Sequence, residues 1–166
     1  MKAVLISIQP KWCELIANGK KTVEVRKTKP KIETPFKVYI YMTAGDAVYP
    51  VSINGAPYTC SNVGGKEVIG EFVCDAIFPM SVWYSNPNYR LSRREYPYTC
   101  LTDKEIMDYL GNGVEGYGWH ISDLVIYDKP KELGEFEGLR KTKFGYEPIK
   151  LTRPPQSWCY VEEVGQ

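Results

Sequence analysis

The chain has 166 residues, 43% of them hydrophobic and 25% charged, with a net charge of +1. These are the values of one ordinary globular domain with room for a core, and they exclude a polyelectrolyte that grips nucleic acid over its whole surface. No apolar run approaches the ~20 residues that span a bilayer, and MKAVLISIQPKW is too short in its apolar part for a secretory leader, so a cytoplasmic protein with no membrane partner is expected.

The five cysteines, Cys13, Cys60, Cys74, Cys100 and Cys159, contain no C-x-x-C pair, and the chain has one histidine. A zinc site needs about four nitrogen or sulfur ligands at close spacing, so no metal is expected, and no cofactor motif is present. An odd number of widely spaced cysteines suits a reducing compartment.

In chain order, Ala3 to Ile8 is a continuous apolar run and predicts a buried strand. Pro10 opens a short helix with Trp12, Leu15 and Ile16 on one face, and Gly19 stops it. Thr22 to Arg26 alternates as a strand, and Phe36 to Thr43 is another. Asn54-Gly55 marks a hairpin and Gly64-Gly65 a loop. Glu67 to Phe78 reads as one long strand, and residues 79–101 as a loop. Thr102-x-x-Glu105 is a capping box ahead of a second helix that Gly111 ends. The glycine-rich stretch 111–118 reads as a flexible connection, Tyr117 to Tyr127 as one strand and Trp158 to Glu162 as the last. Two or three short helices among six or more strands predict an α+β domain, a small mixed β-barrel with peripheral helices. A parallel α/β sheet would need a longer helix after nearly every strand.

Charge is unevenly spread. Residues 1–40 hold nine basic side chains against Glu14, Glu24 and Glu33, a local surplus of six. The segment NGKKTVEVR, residues 18–26, lies within it. In an extended chain Lys20, Thr22, Glu24 and Arg26 share one face, while Val23 and Val25 face the core with Lys21. Lys21 sits next to the Gly19 turn, so it can leave the core side. Arg26 can fork onto a phosphate or onto Glu24, and Glu24 can accept from a base amine or act as a general base. The plain alternative is an exposed strand with a surface ion pair of little worth.

These residues also carry a resemblance. Gly19-x-Lys21-x-x-Glu24-x-Arg26 resembles the G-x-K-x-x-E-x-R signature of the ASCH domain, a family of PUA-like β-barrels. The stretches LISIQPKWCELIANGKKTVEVRK, VIGEFVCDAI, YGWHISDLVIYDKPKEL and PPQSWCYVEE resemble its successive elements in order, so the resemblance spans one domain, residues 1–166. It implies a cleft beside the signature strand that binds RNA or a nucleotide-like ligand, lined by Lys21, Thr22, Glu24 and Arg26. Some relatives are amidohydrolases acting on N4-acetylcytidine-type nucleosides, through a Thr, a Lys and a Glu. Their Lys corresponds to Lys21, but their Thr falls where Glu24 stands, and Thr22 is one same-face step earlier. Glu105 or Asp108 are candidates for their Glu. If the chain is an enzyme, Lys21 and Glu24 are the expected catalytic groups, whether as an amidohydrolase or as a ribonuclease. Binding of RNA or a modified nucleoside is the favoured function.

Beyond the signature, residues 83–98 interleave Tyr84, Tyr89, Tyr96 and Tyr98 with Arg90, Arg93 and Arg94. That mixture suits single-stranded nucleic acid, a protein partner, or a plain surface loop. His120, between Trp119 and Ile121, reads as a structural histidine. Trp12, Trp158 and Tyr160 read as core residues that can border the cleft.

Overall fold

A computed structural model describes residues 1–44, 51–53, 56–58, 67–81, 96–111 and 115–165. Among these are twelve strands and two α-helices: β1 (Lys2–Ile8), α1 (Pro10–Ala17), β2 (Val23–Arg26), β3 (Phe36–Met42), β4 (Val51–Ile53), β5 (Ala56–Tyr58), β6 (Glu67–Cys74), β7 (Ile77–Ser81), α2 (Asp103–Leu110), β8 (Glu115–His120), β9 (Ser122–Glu132), β10 (Glu137–Thr142), β11 (Gly145–Lys150) and β12 (Trp158–Glu162). Short 3-10 turns precede α2 and β10. The expected α+β class is observed. The ladders form a seven-stranded sheet ordered β11-β10-β12-β1-β3-β6-β9, a three-stranded sheet β2-β8-β7, and the β4-β5 pair. Among the described residues these ladders stay separate and do not close into a ring.

The run AVLISI explains the centre of the large sheet. Both faces of β1 are buried: Val4, Ile6 and Ile8 enter one apolar cluster, and Ala3 and Leu5 enter a second. β1 pairs in parallel with β3 and antiparallel with β12. The crossover from β1 to β3 holds α1 and β2, so the signature segment leaves the large sheet and pairs with β8. α1 buries Pro10, Cys13 and Ile16, and α2 buries Ile106 and Leu110 against Val25 and Met80. The Thr102–Glu105 capping box forms, and Gly111 caps α2 at φ +85°, a value that favours glycine.

Three sequence expectations change. Glu67 to Phe78 is two strands, with β6 in the large sheet and β7 in the small one, and β7 runs on to Ser81, inside the stretch 79–101 expected as a loop. Tyr117 to Tyr127 is likewise divided at Ile121, between β8 and β9. No glycine or proline marks either transfer; the local signs are Asp75 in one and Ser122-Asp123 in the other, with Asp123 at φ +46°. The glycine-rich connection is strand from Glu115 onward. A side chain at Gly116 would meet Leu110 at 2.5 Å, so glycine there lets α2 approach β8. The β10–β11 hairpin, absent from the sequence expectation, is mostly exposed, with Gly138 buried and Leu139, Tyr146 and Ile149 half-buried. Asn54-Gly55 and Gly64-Gly65 lie outside the described residues, although β4 and β5 do pair on either side of the former. No described helix is long and apolar enough to cross a membrane.

Candidate functional site: a charged cleft between the two helices

Four elements build the site. The C-terminal end of β1 supplies Ser7, α1 supplies Trp12, β2 supplies Glu24 and Arg26, and α2 supplies Glu105, Asp108 and Tyr109. Together with Lys21 and Ser157 they line one cleft of about 510 Å³. Lys21, Glu24 and Arg26 therefore converge on a single void. Thr22 is not among the lining residues. Its backbone instead ties β2 to its surroundings, with its N–H donating to Tyr98 O and its carbonyl accepting from Ile121 N–H.

The three charged side chains are buried, at 2% exposure for Lys21, 6% for Glu24 and 7% for Arg26. They form one network. Lys21 Nζ stands 3.2 Å from Glu24 Oε2, and Arg26 donates to Glu24 Oε1 at 2.8 Å. Lys21 also donates to the carbonyls of Val23 (3.0 Å) and Thr99 (2.7 Å). An ammonium has three N–H donors, so all three are engaged. Arg26 donates to Ser7 O at 2.7 Å and reaches Ser157 O and Oγ at 3.4 and 3.3 Å. Its Nε is buried without a protein partner.

Each oxygen of Glu24 accepts one charged donor and, with two lone pairs apiece, keeps capacity for another. Burial pushes the Glu24 carboxyl up, but the Lys21 and Arg26 charges outweigh it and hold the group below its ordinary range. The floor is thus an ionised acceptor in a triad of net charge +1. Burial, and next the Glu24 charge, push the adjacent Cys13 thiol well above its ordinary range.

Aromatic walls flank this floor. Trp12 carries Lys21 Nζ 5.3 Å from its ring centroid and Lys11 Nζ at 4.4 Å. Tyr109 carries Lys27 Nζ at 5.3 Å. Lys11 and Glu105 link α1 to α2 at 3.6 Å.

Glu105 and Asp108 both reach the cleft, as their candidacy requires, but each carboxylate is engaged. Glu105 Oε2 accepts from Thr102 N–H at 2.8 Å and from its hydroxyl at 3.0 Å, and that cap holds its carboxyl below the ordinary range. Asp108 pairs with Lys104 at 2.5 Å.

His120 lies away from the cleft, its Nδ1 2.6 Å from Asp75 Oδ1. Trp158 and Tyr160 pack half-buried at the core's edge, outside the cleft lining. Tyr84, Tyr89, Arg90, Arg93 and Arg94 lie outside the described residues, as does the side chain of Tyr96. Tyr98 is 53% exposed. Sequence reasoning missed Tyr109, which its spacing of four from Glu105 on one helix face could have found. It also missed Thr99, Ser7 and Ser157, whose backbone groups bind the triad and leave no mark in a side-chain pattern.

A family model for the ASCH domain matches residues 6–155. The chain belongs to the ASCH domain family. No curated protein matches it. Among solved structures, this ASCH chain is similar to the ASCH protein of Zymomonas mobilis, at 23% identity and a TM-score of 0.58 over 97% of this chain and 88% of that one. A Tyr-to-Phe variant of that protein superposes at 0.59 with 22% identity, over 98% of this chain and 92% of that one. A Ser-to-Ala variant gives 0.58 and 22%, over 97% and 89%. At these identities the likeness concerns the fold. The ASCH signature positions 19, 21, 24 and 26 fall within the matched span.

Proposed function

We propose that this ASCH domain binds RNA or a modified nucleoside in the cleft between α1 and α2. The observation that carries the reading is Glu24, an ionised carboxylate with spare acceptor capacity on the cleft floor, flanked by two cations and walled by Trp12 and Tyr109. A nucleobase offers matching chemistry: exocyclic N–H donors for the carboxylate and a flat face for an aromatic wall. Base–aromatic stacking is worth about 1–3 kcal/mol per base. Arg26 Nε, buried and without a protein acceptor, offers a donor to a base carbonyl or a phosphate oxygen. Lys21 positions Glu24 and does not itself grip the ligand, because its three N–H groups are already taken.

Hydrolysis has less support. Thr22, the sequence neighbour of Lys21, is not in the cleft lining, which takes its threonine from Thr43 beyond β3, and Glu105 is committed to its helix cap. The free thiols of Cys13, Cys74, Cys100 and Cys159 suit the reducing cytoplasm.

The test is a binding titration of single-stranded RNA and of free nucleosides, N4-acetylcytidine included, with wild type, Glu24→Gln and Trp12→Ala. Losing a buried, hydrogen-bonded charge costs about 2–5 kcal/mol of binding, so Glu24→Gln should weaken affinity by well over tenfold. Trp12→Ala should weaken it through lost stacking while leaving the Lys21–Glu24 and Glu24–Arg26 pairs in place. Equal binding by all three folded proteins overturns the reading, and so does wild type that binds neither ligand.

A further inference from the structure

Four lysines on one side of the cleft stand on or beside tyrosines. Lys27 Nζ lies 5.3 Å from the ring of Tyr109, which is itself a cleft wall. Lys29 Nζ lies 5.5 Å from the ring of Tyr117. The Lys31 N–H donates to Tyr160 Oη at 2.6 Å, and its side chain is exposed. Lys2 Nζ lies 3.6 Å from the Tyr146 ring and 5.1 Å from the Tyr160 ring. The rings continue one another: Trp158 to Tyr160 at 5.3 Å, then Tyr160 to Tyr146 at 5.5 Å, both edge-to-face.

The segment that bears Lys27, Lys29 and Lys31 is fixed over β12, since Thr28 Oγ1 accepts from Trp158 Nε1 at 3.0 Å. The row thus starts at the cleft rim and ends at β11. Among the described residues none of these four lysines has a carboxylate within ion-pair distance. Glu33 is exposed on the same segment, and Glu162, the cross-strand partner of Lys2, is held by the N-terminal ammonium at 3.4 Å.

We infer that this lysine–tyrosine row is a track for a single strand of RNA whose anchored base lies in the cleft. The inference rests on the proposed function and names the polymer, rather than the free nucleoside, as the ligand. Charge complementarity favours it. The local surplus of positive charge is spent on the exposed Lys27, Lys29 and Lys31 and the half-buried Lys2, which no described acidic side chain pairs with, and a phosphodiester chain is the polyanion that such a row matches. Each ring offers a face or edge to a base once its lysine moves onto a phosphate. Continuity favours it as well, because Tyr109 belongs to both the cleft and the row.

The experiment measures binding of a mixed-sequence single-stranded RNA octamer and of nucleoside 5′-monophosphates, across a salt series, with wild type, the Lys29→Ala/Lys31→Ala double variant, and Glu24→Gln. Wild type should bind the octamer at least about tenfold more tightly than any mononucleotide, because only the octamer releases counterions along the row. The double variant should lose most of that gain and leave mononucleotide affinity unchanged. Its slope of log affinity on log salt should be shallower by about 1.4, from two lost single-strand phosphate contacts. Equal affinity for octamer and mononucleotide overturns the track, as does a double variant with wild-type octamer affinity. If the double variant loses octamer affinity while Glu24→Gln does not, the track stands and the cleft reading fails. Binding of neither ligand removes both.

Discussion

The carboxylate of Glu24 accepts a 2.8 Å hydrogen bond from the guanidinium of Arg26, two residues along the same strand, with both side chains only 8% exposed. Lys21 closes the other side of the carboxylate at 3.2 Å. A charge group this deep holds only while complete, since removing one partner of a buried pair leaves an uncompensated charge and costs about 3–5 kcal/mol. Glu24→Ala should therefore lower unfolding stability by that amount in urea. Arg140→Ala, which breaks a 3.7 Å pair whose side chains are 66% and 53% exposed, should cost no more than about 1 kcal/mol. Similar losses for the two variants would mean that the triad is solvated.

Acid stability follows from the same carboxylate. Its pKa in the folded chain lies below the ordinary 4.5, because the neighbouring cations outweigh burial. The unfolded chain then binds more protons as pH falls, so the contribution is complete above about pH 4.5 and is lost as pH drops through the folded value. Glu71 and Asp75 add to the same trend, since their carboxyls are also held low. Urea unfolding from pH 7 to pH 3 should show wild-type stability falling below pH 4.5, with a shallower fall in Glu24→Gln. Parallel curves for the two proteins would show that Glu24 is not coupled to folding.

A glycine pair tests the packing of the large sheet. A side chain at Gly70 would collide with the backbone oxygen of Val125 and meet Ile126 Cα at 3.1 Å, and backbone cannot swing aside. Gly70→Ala should destabilise by about 1–3 kcal/mol or more through overpacking. At Gly134 nothing lies within 4 Å and φ is not positive, so Gly134→Ala should be neutral or stabilise by about 0.4–1 kcal/mol. Thermal melts of the two variants check the order, which must not be reversed.

Thiol reactivity separates the described cysteines. Cys13 and Cys74 are buried, and burial first of all pushes the Cys74 thiol up to about 12. Burial pushes Cys159 to about 11. Cys100 is partly exposed, in a backbone with φ +57°, and its thiol donates to the Lys20 carbonyl at 3.3 Å. Among these four, iodoacetamide at pH 8 should label Cys100 first, as read by peptide mass spectrometry. Earlier labelling of Cys13 would mean that α1 opens readily from the core.

What the sequence made legible follows from local chemistry. The Thr102–Glu105 box, the Pro10 start of α1 and the apolar run of β1 each act within a few residues, and each appears where its chemistry places it. The convergence of Lys21, Glu24 and Arg26 was suggested by the signature spacing, but their burial was not. Alternation put Lys21 with the valines. The chain instead enters β2 only at Val23, and the Lys21 ammonium turns to the carbonyls of Val23 and Thr99, the second lying 78 residues away. Long-range backbone partners of that kind leave no local pattern. The two strand transfers near residues 75 and 121 carry a weak local mark, an aspartate (Asp75, Asp123) with no glycine or proline at the break.

The most direct measurement is a nuclear magnetic resonance titration of the side-chain N–H signals of Trp12 (Nε1) and Arg26 (Nε) with each of the four ribonucleosides and N4-acetylcytidine. Trp12 walls the cleft, and Arg26 Nε is buried without a protein acceptor. At least one nucleoside should shift both signals saturably, leave the buried Trp119 indole unmoved, and lose its effect in Glu24→Gln. Saturable shifts confined to other parts of the chain, or none with any nucleoside, would contradict a base-binding cleft.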